Sequence, residues 1–406
     1  MAVKKGFLAV GHLPTLFAAF LYFDMSFMVW VLLGPLGVLI AKDLGLTPAE
    51  KGLMVATPVL AGAALRIVTG IMVDHLGPKL TGTVLQIIVI AGLVSAWFIG
   101  IGSFEAVLTL GAVLGVAGAS FAVALPLASR WYPPEHQGVA LGIAGAGNSG
   151  TAFAALFAPS LAVAFGWNTV FGLAAIPLAV ALAVYLFLAK ESPNCPPPQR
   201  LADYLSVLKI GDTWWFMFLY SITFGGFVGL SSSLTIYFND EFGLSPVTAG
   251  YFTAACVFAG SLVRPVGGAI ADRIGGVRSL SIMLSIVVIA LGLTSLDVWT
   301  AVPALAILVV AMLALGMGNG AVFQLVPQRF QKEIGVLTGL VGMAGGIGGF
   351  YLASSLGYAK QLTGSYHPGF LIFALLAAAA LVMLTGVKSR WRRTWGAQVE
   401  LGASRL

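Results

Sequence analysis

Residues 43–77 read DLGLTPAEKGLMVATPVLAGAALRIVTGIMVDHLG, and residues 241–275 read EFGLSPVTAGYFTAACVFAGSLVRPVGGAIADRIG. At a constant offset of 198 residues, about thirteen positions are identical without a gap, among them Pro48/Pro246, Arg66/Arg264 and Asp74/Asp272. Chance similarity between apolar helices does not place proline, arginine and aspartate in one register, so the chain is a duplication. Each copy carries an arginine inside an apolar, glycine-rich run long enough to cross a bilayer. A guanidinium at that depth costs roughly 2.5 to 3.5 kcal/mol by insertion scales. Two such residues at matching positions point to a buried site where both face one anion, because arginine keeps its charge and offers a planar fork of donors. The plainer alternative is that each pairs with a membrane acid or snorkels to an interface. Transporters built from repeats hold their ligands at the repeat interface near the midplane.

Composition agrees with a membrane protein. Of 406 residues, 59% are hydrophobic and 9% are charged, far below the ~25% charge of soluble domains. Twelve spans are expected, at 13–41, 50–72, 80–101, 105–129, 137–163, 167–189, 212–238, 247–270, 279–298, 301–326, 335–361 and 368–387, each near or above the ~20 residues a crossing needs. The polar, proline-rich stretch 190–211 divides them into an N-terminal half (1–189) and a C-terminal half (212–406). Lys4 and Lys5 before an apolar run imitate a signal peptide, but that run continues to about Ile40 and reads as the first span. With both termini cytoplasmic, sixteen of the 21 Lys+Arg fall on the inner side and only Lys42, Lys51 and Lys360 outside. The positive-inside rule selects that orientation. The basic end (Lys388, Arg390, Arg392, Arg393) calls for contact with anionic lipid, not nucleic acid. Compact loops suggest a bacterial inner (cytoplasmic) membrane. Cys195 and Cys256 form no disulfide or metal pattern.

Two further patterns carry the assignment. Gly70-Ile-Met-Val-Asp74-His-Leu-Gly77 and Gly268-Ala-Ile-Ala-Asp272-Arg-Ile-Gly275 close spans 2 and 8, and resemble the signature loop of the major facilitator superfamily. That resemblance implies an all-α membrane protein with the major facilitator fold, twelve transmembrane helices in two pseudo-symmetric six-helix halves. It also implies that Gly70, Asp74, Gly77, Gly268, Asp272 and Gly275 serve the conformational switch. Ala144-Gly145-Ala-Gly-Asn148-Ser-Gly150 on span 5 and Gly342-Met343-Ala-Gly345-Gly-Ile-Gly-Gly-Phe350 on span 11 resemble the two glycine-rich signatures of the nitrate/nitrite porter family. The likeness extends over essentially the whole chain and includes Ser-Arg-Trp-Tyr-Pro-Pro at 129–134. Glycine at that density lets backbone approach a small ligand or lets helices slide; alone, it fits ordinary tight packing.

From the same resemblance, Arg66 and Arg264 match the anion-binding arginines. Asn148, Tyr220, Phe224, Phe121, Gly145, Met343 and Gly345 are the implied lining of the substrate site, although plain packing is an equal reading for Phe121 and Met343. Tyr220 and Phe224 lie one helical turn apart and share a face. A dry slot with fixed donors and aromatic walls suits nitrate, which is planar and weakly hydrated, better than sulfate or phosphate. Nitrite stays open as a substrate.

Asp24, within Leu-Tyr-Phe-Asp24-Met-Ser-Phe-Met-Val-Trp30, is an acid well inside span 1. An isolated carboxylate there is protonated, paired or alternating. One alternative is a static salt bridge to Arg66 or Arg264. The favoured one is proton coupling, since the stretch resembles the nitrate/proton symporter branch. The expected function is therefore secondary active nitrate import, working as a monomer without enzymatic activity, metal or cofactor, with protons as coupling ion. The alternatives are a nitrate/nitrite antiporter on the same scaffold, or a proton-coupled exporter of organic compounds. No histidine is central enough for a relay, and the Gly-x-Gly strings lack the strand that a nucleotide fold requires.

Overall fold

The computed structural model describes residues 7, 10–193, 198, 200–296, 298–330 and 334–395. Lys4, Lys5, Cys195, Lys332 and the tail from 396 onward lie outside the described residues. Twelve helical segments are long and apolar enough to cross a membrane, and each overlaps an expected span. The molecule is a multi-pass membrane protein.

The first span consists of α1 (Leu13–Trp30) and α2 (Leu33–Leu44), the second of α3 (Pro48–Leu76), and the third of α4 (Pro78–Ile99). The fourth is α5 (Phe104–Gly118) with α6 (Phe121–Ser129). The fifth is α7 (Pro134–Gly145), a 3-10 turn (Ala146–Ser149) and α8 (Gly150–Phe165), and the sixth is α9 (Trp167–Leu188). After a short linker helix α10 (Leu201–Val207) come α11 (Gly211–Phe242), the pair α12 (Pro246–Leu262) and α13 (Arg264–Ile274), and α14 (Gly276–Thr294). The last three are α15 (Ala301–Arg329), α16 (Ile334–Thr363) and α17 (His367–Arg393). His367 opens the last of these.

The duplicated signals do matching work. Thr47 caps α3 through a reciprocal bond with Glu50, and Ser245 caps α12 by accepting from the Thr248 amide, each followed by a proline in the first turn. The repeated glycines fall in pairs with positive φ: Gly45 at 66° and Gly243 at 63°, then Gly77 at 84° and Gly275 at 93°. A residue with a Cβ is strained there. These positions therefore stop one helix and aim the next.

Spans 1, 4, 5 and 8 are interrupted near their middles. Pro35 has no N–H for the Val31 carbonyl, and α1 ends there. Pro265 likewise leaves the Ser261 carbonyl without a helical donor, so α13 begins at Arg264. The repeat partner of Pro265 is Ile67, and α3 runs unbroken through Arg66.

Lys79, Arg130, Lys190 and Arg329 mark one basic face. Toward the opposite face the halves meet closely. Gly52 of α3 lies against the backbone of Ala353, Ser354 and Gly357, and a Cβ on Gly52 would sit 3.0 Å from the Gly357 Cα. Lys51 donates to Asp240 of α11 at 2.9 Å. Among the described residues this is the only ion pair joining the halves. The pair is partly exposed and worth about 0–1 kcal/mol. Asp240→Asn is therefore expected to speed thiol labelling of a cysteine introduced at Ser354 by about two- to fivefold, through a shift toward the state open on this face. Unchanged labelling would show that the glycine contacts alone hold it closed.

Candidate functional site

Arg66 is 1% exposed and held by groups from both halves. Its Nη1 donates to the Gly342 carbonyl of α16 at 2.5 Å, and its Nε makes a long bond (3.4 Å) to Gly118 O at the break of span 4. The guanidinium lies 5.0 Å from the Phe121 ring centroid, 5.1 Å from Phe224 and 5.5 Å from Trp30, within cation–π range. Arg264 is less buried. Its Nη2 donates to the Tyr220 hydroxyl at 3.4 Å, and its guanidinium stands 5.5 Å from the Phe323 centroid.

Tyr220 is the meeting point. Its ring stacks on Phe224 at 5.1 Å and meets Phe323 edge-on at 5.0 Å, and both arginines act electrostatically on its hydroxyl. Phe323 also approaches Phe121, at 6.2 Å. The result is an aromatic box with one guanidinium from each half. Arg66 Nη2 and Arg264 Nη1 are buried donors without a hydrogen-bond partner. Neither arginine pairs with a carboxylate among the described residues. Unsatisfied buried donors are expensive, and an anion between them would satisfy both. Because Arg264 begins α13, the positive end of that half-helix adds to the same field.

The structure thus brings together Arg66, Arg264, Tyr220, Phe224 and Phe121. Gly345 belongs with them, because a Cβ there would lie 2.7 Å from the Tyr220 ring and 2.9 Å from Phe224. Asn148 is 1% exposed in the 3-10 turn, and its Oδ1 is buried and unpartnered. The carbonyl of Asn148 accepts from Ser261 Oγ (3.3 Å), about one turn before Arg264. Met343 is half-buried and packs on the apolar core. Gly145 is buried, but an added Cβ would meet open space. Close packing on this part of span 5 belongs instead to Gly147 and Gly150, which seat against Phe23 and the Asp24 backbone.

Asp24 is 2% exposed and forms no ion pair with either arginine. Its Oδ1 accepts from Ser149 Oγ at 2.7 Å. The static salt bridge considered for it is absent.

The two loop aspartates differ. Asp74 accepts from Arg130 at 2.7 Å, whereas Asp272 is exposed and forms no ion pair among the described residues. At the repeat position of Arg130 stands Gln328, and the neighbouring Arg329 is taken by Asp212 at 2.8 Å. Asp212 also accepts from Arg390 and Trp391, which ties the end of the last helix to α11. Gly77 would drive a Cβ to 2.7 Å from a Glu191 carboxylate oxygen, while Gly268 has only Gly320 O nearby, at 3.9 Å. Gly70 lies beneath Tyr204, a buried residue of α10 that also covers Gly339 of α16. Burial, with Asp74 and Asp203 nearby, pushes the Tyr204 phenol up to about 12, so it remains neutral.

Sequence reasoning missed Trp30, Phe323, Ser149, Tyr204 and Asn319. Trp30 closes the Asp24 stretch and donates to Pro58 O at 2.7 Å. Ser149 lies inside the span 5 glycine run. Asn319, a second buried amide with an unpartnered Oδ1, stands at the repeat position of Phe121. Phe323 has leucine at its repeat position, so no pattern marks it.

A family model, the Major Facilitator Superfamily, matches residues 15–353, and the chain belongs to that superfamily. A solved bacterial homologue of the human lysosomal transporter Spinster, titled inward-facing and occupied, shares the fold with a TM-score of 0.70 at 18% identity, covering 91% of this chain and 96% of its own. Within the superfamily, the chain belongs to the nitrate/nitrite transporter family. It is 35% identical to the probable nitrate/nitrite transporter NarK2 of Mycobacterium tuberculosis, over 89% of this chain and 92% of that one. It is 32% identical to the probable nitrate/nitrite antiporter NarK1 of Thermus thermophilus, over 92% and 91%.

Proposed function

We propose that this protein imports nitrate by alternating access, in symport with protons. The observation that carries the anion site is the pair of buried, unpartnered donors, Arg66 Nη2 and Arg264 Nη1, contributed by different halves around Tyr220. An oxyanion held there bridges the halves, so occupancy favours their closing together. The basic face is assigned to the cytoplasm by the positive-inside rule, which leaves the Lys51–Asp240 side facing outward and closed. Nitrate entry opposes a negative-inside potential by about 2.3 kcal/mol per 100 mV, and more than one proton per nitrate reverses that penalty. Asp24 is the acid placed to take a proton. The monomer suffices, since both arginines come from one chain, and nitrite fits the same donors.

A second reading, nitrate/nitrite exchange, is favoured by the likeness to the probable nitrate/nitrite antiporter of Thermus thermophilus. In that case the counter-anion itself rebalances the arginine charges. Nitrate uptake into proteoliposomes with ΔpH and membrane potential imposed separately decides between them. Symport predicts accumulation driven by an inward proton gradient with no internal anion. Uptake that requires internal nitrite and ignores ΔpH assigns the protein to exchange.

A further inference from the structure

Resting on the symport reading, we propose that Ser149 is a positioning residue that reports the proton occupancy of Asp24 to the anion chamber, by turning one hydroxyl hydrogen between two acceptors. Ser149 Oγ lies 2.7 Å from Asp24 Oδ1 and 2.9 Å from the Ala146 carbonyl. It has one hydrogen to give and two oxygens within reach. With Asp24 ionised, the hydroxyl donates to the carboxylate. When a proton from water binds Asp24, the carboxyl O–H donates to Ser149 Oγ, and the Ser149 hydrogen turns to Ala146 O. No bond to Ser149 breaks, and the single added proton resides on Asp24 throughout.

Both arrangements pull on the same short element. Ala146 and Ser149 are the ends of the 3-10 turn in span 5, so a bond between them tightens it, whereas a bond to Asp24 draws it toward α1. The turn has little freedom to absorb the change. A Cβ on Gly150 would collide with the Asp24 carbonyl, and one on Gly147 would lie 2.6 Å from the Phe23 ring. Its other side touches the C-terminal half. The Asn148 carbonyl accepts from Thr151 at 2.7 Å and from Ser261 at 3.3 Å, and Ser261 lies three residues before Arg264. Proton site and anion site are therefore linked through one short turn with two hydrogen-bonded settings, the kind of bistable element that coupling needs.

Among the described residues, the Asp24 side chain hydrogen-bonds to the side chain of Ser149. The elements packed on α1 are α5, α6, α7, α8, α9 and the 3-10 turn. Of these, α6, α8 and the turn carry no ionisable side chain. The titratable residue of α9 is Tyr185, whose hydroxyl donates to Pro78 O. Glu105 lies in the first turn of α5, and Glu135 and His136 lie in the first turn of α7. Tyr22 of α1 itself donates to Gly82 O. The Asp24 carboxyl interacts with Ser149 and the Gly150 amide.

The test is the pH profile of nitrate uptake in proteoliposomes, with nitrate/nitrate exchange at symmetric pH as a measure of the intact chamber. Ser149→Ala removes a donor to the ionised carboxylate and is expected to move the midpoint alkaline by about one pH unit or more, with exchange retained. Ser149→Thr is expected to hold the midpoint within a few tenths of the parent. If the alanine variant does not reach the membrane, Ser149→Cys, a weak donor of similar volume, is expected to give a smaller alkaline shift. An unmoved midpoint in the alanine or cysteine variant of a ΔpH-driven parent overturns the Ser149 role and leaves symport standing. A parent that shows no ΔpH-driven uptake overturns symport, and this inference with it.

Discussion

Arg66→Lys and Arg264→Lys are each expected to lower nitrate uptake by about 100-fold or more, with the protein still present in the membrane. Lysine keeps the positive charge but replaces a planar fork with a point donor. For Arg66 three contacts are lost. The cross-half bond to Gly342 O goes, the unpartnered Nη2 disappears, and the flat stacking among Phe121, Phe224 and Trp30 is lost. One hydrogen bond to a charged group is worth about 1.5–3 kcal/mol, which corresponds to roughly a 10- to 150-fold weaker anion complex. Arg264→Lys gives up its place over Phe323 and the contact with Tyr220. Binding of nitrate to the purified variants separates a weakened site from impaired movement. Near-parental affinity in either would argue against two converging guanidiniums.

The second large effect concerns coupling. At one unit of inward ΔpH, one proton per nitrate supports about tenfold accumulation. Asp24→Asn is expected to reduce that ΔpH-driven accumulation to none while nitrate/nitrate exchange continues. The amide keeps the shape of the side chain, and its oxygen still accepts from Ser149, but it cannot take up and release a proton. The measurement is tracer accumulation at equal membrane potential with and without ΔpH. Full accumulation by the variant removes Asp24 from the proton path.

Much of this architecture was legible in the chain because the signals are local. The Thr47-Pro48 and Ser245-Pro246 starts and the glycine stops at 77 and 275 each act within one helical turn, and the repeat states them twice. The arginines stood out because charge inside a long apolar run is costly. Tyr220 and Phe224 followed from the family resemblance, and their spacing placed them on one face. The interruptions were not legible in the same way. Pro35 and Pro265 mark two of them in hindsight, but Pro58, Pro126, Pro159 and Pro177 lie inside helices that continue. Whether a proline breaks a membrane helix depends on what neighbouring helices offer the freed carbonyl. Phe323 and Tyr204 owe their places to contacts across the molecule, which no local pattern encodes. Asp74 and Asp272 differ in their partners for a similar reason, because Arg130 at the end of span 4 has Gln328 at its repeat position.

The difference between Ile67 and Pro265 has a mechanical outcome. Duplication supplied two arms with the same charged tip, and a single imino acid then put an elbow in one of them. The first arm carries its tip on one unbroken helix, while the second carries its tip at a joint. A helix that lacks a ladder bond bends more readily at that point, so the two arms differ in stiffness beside their charged tips.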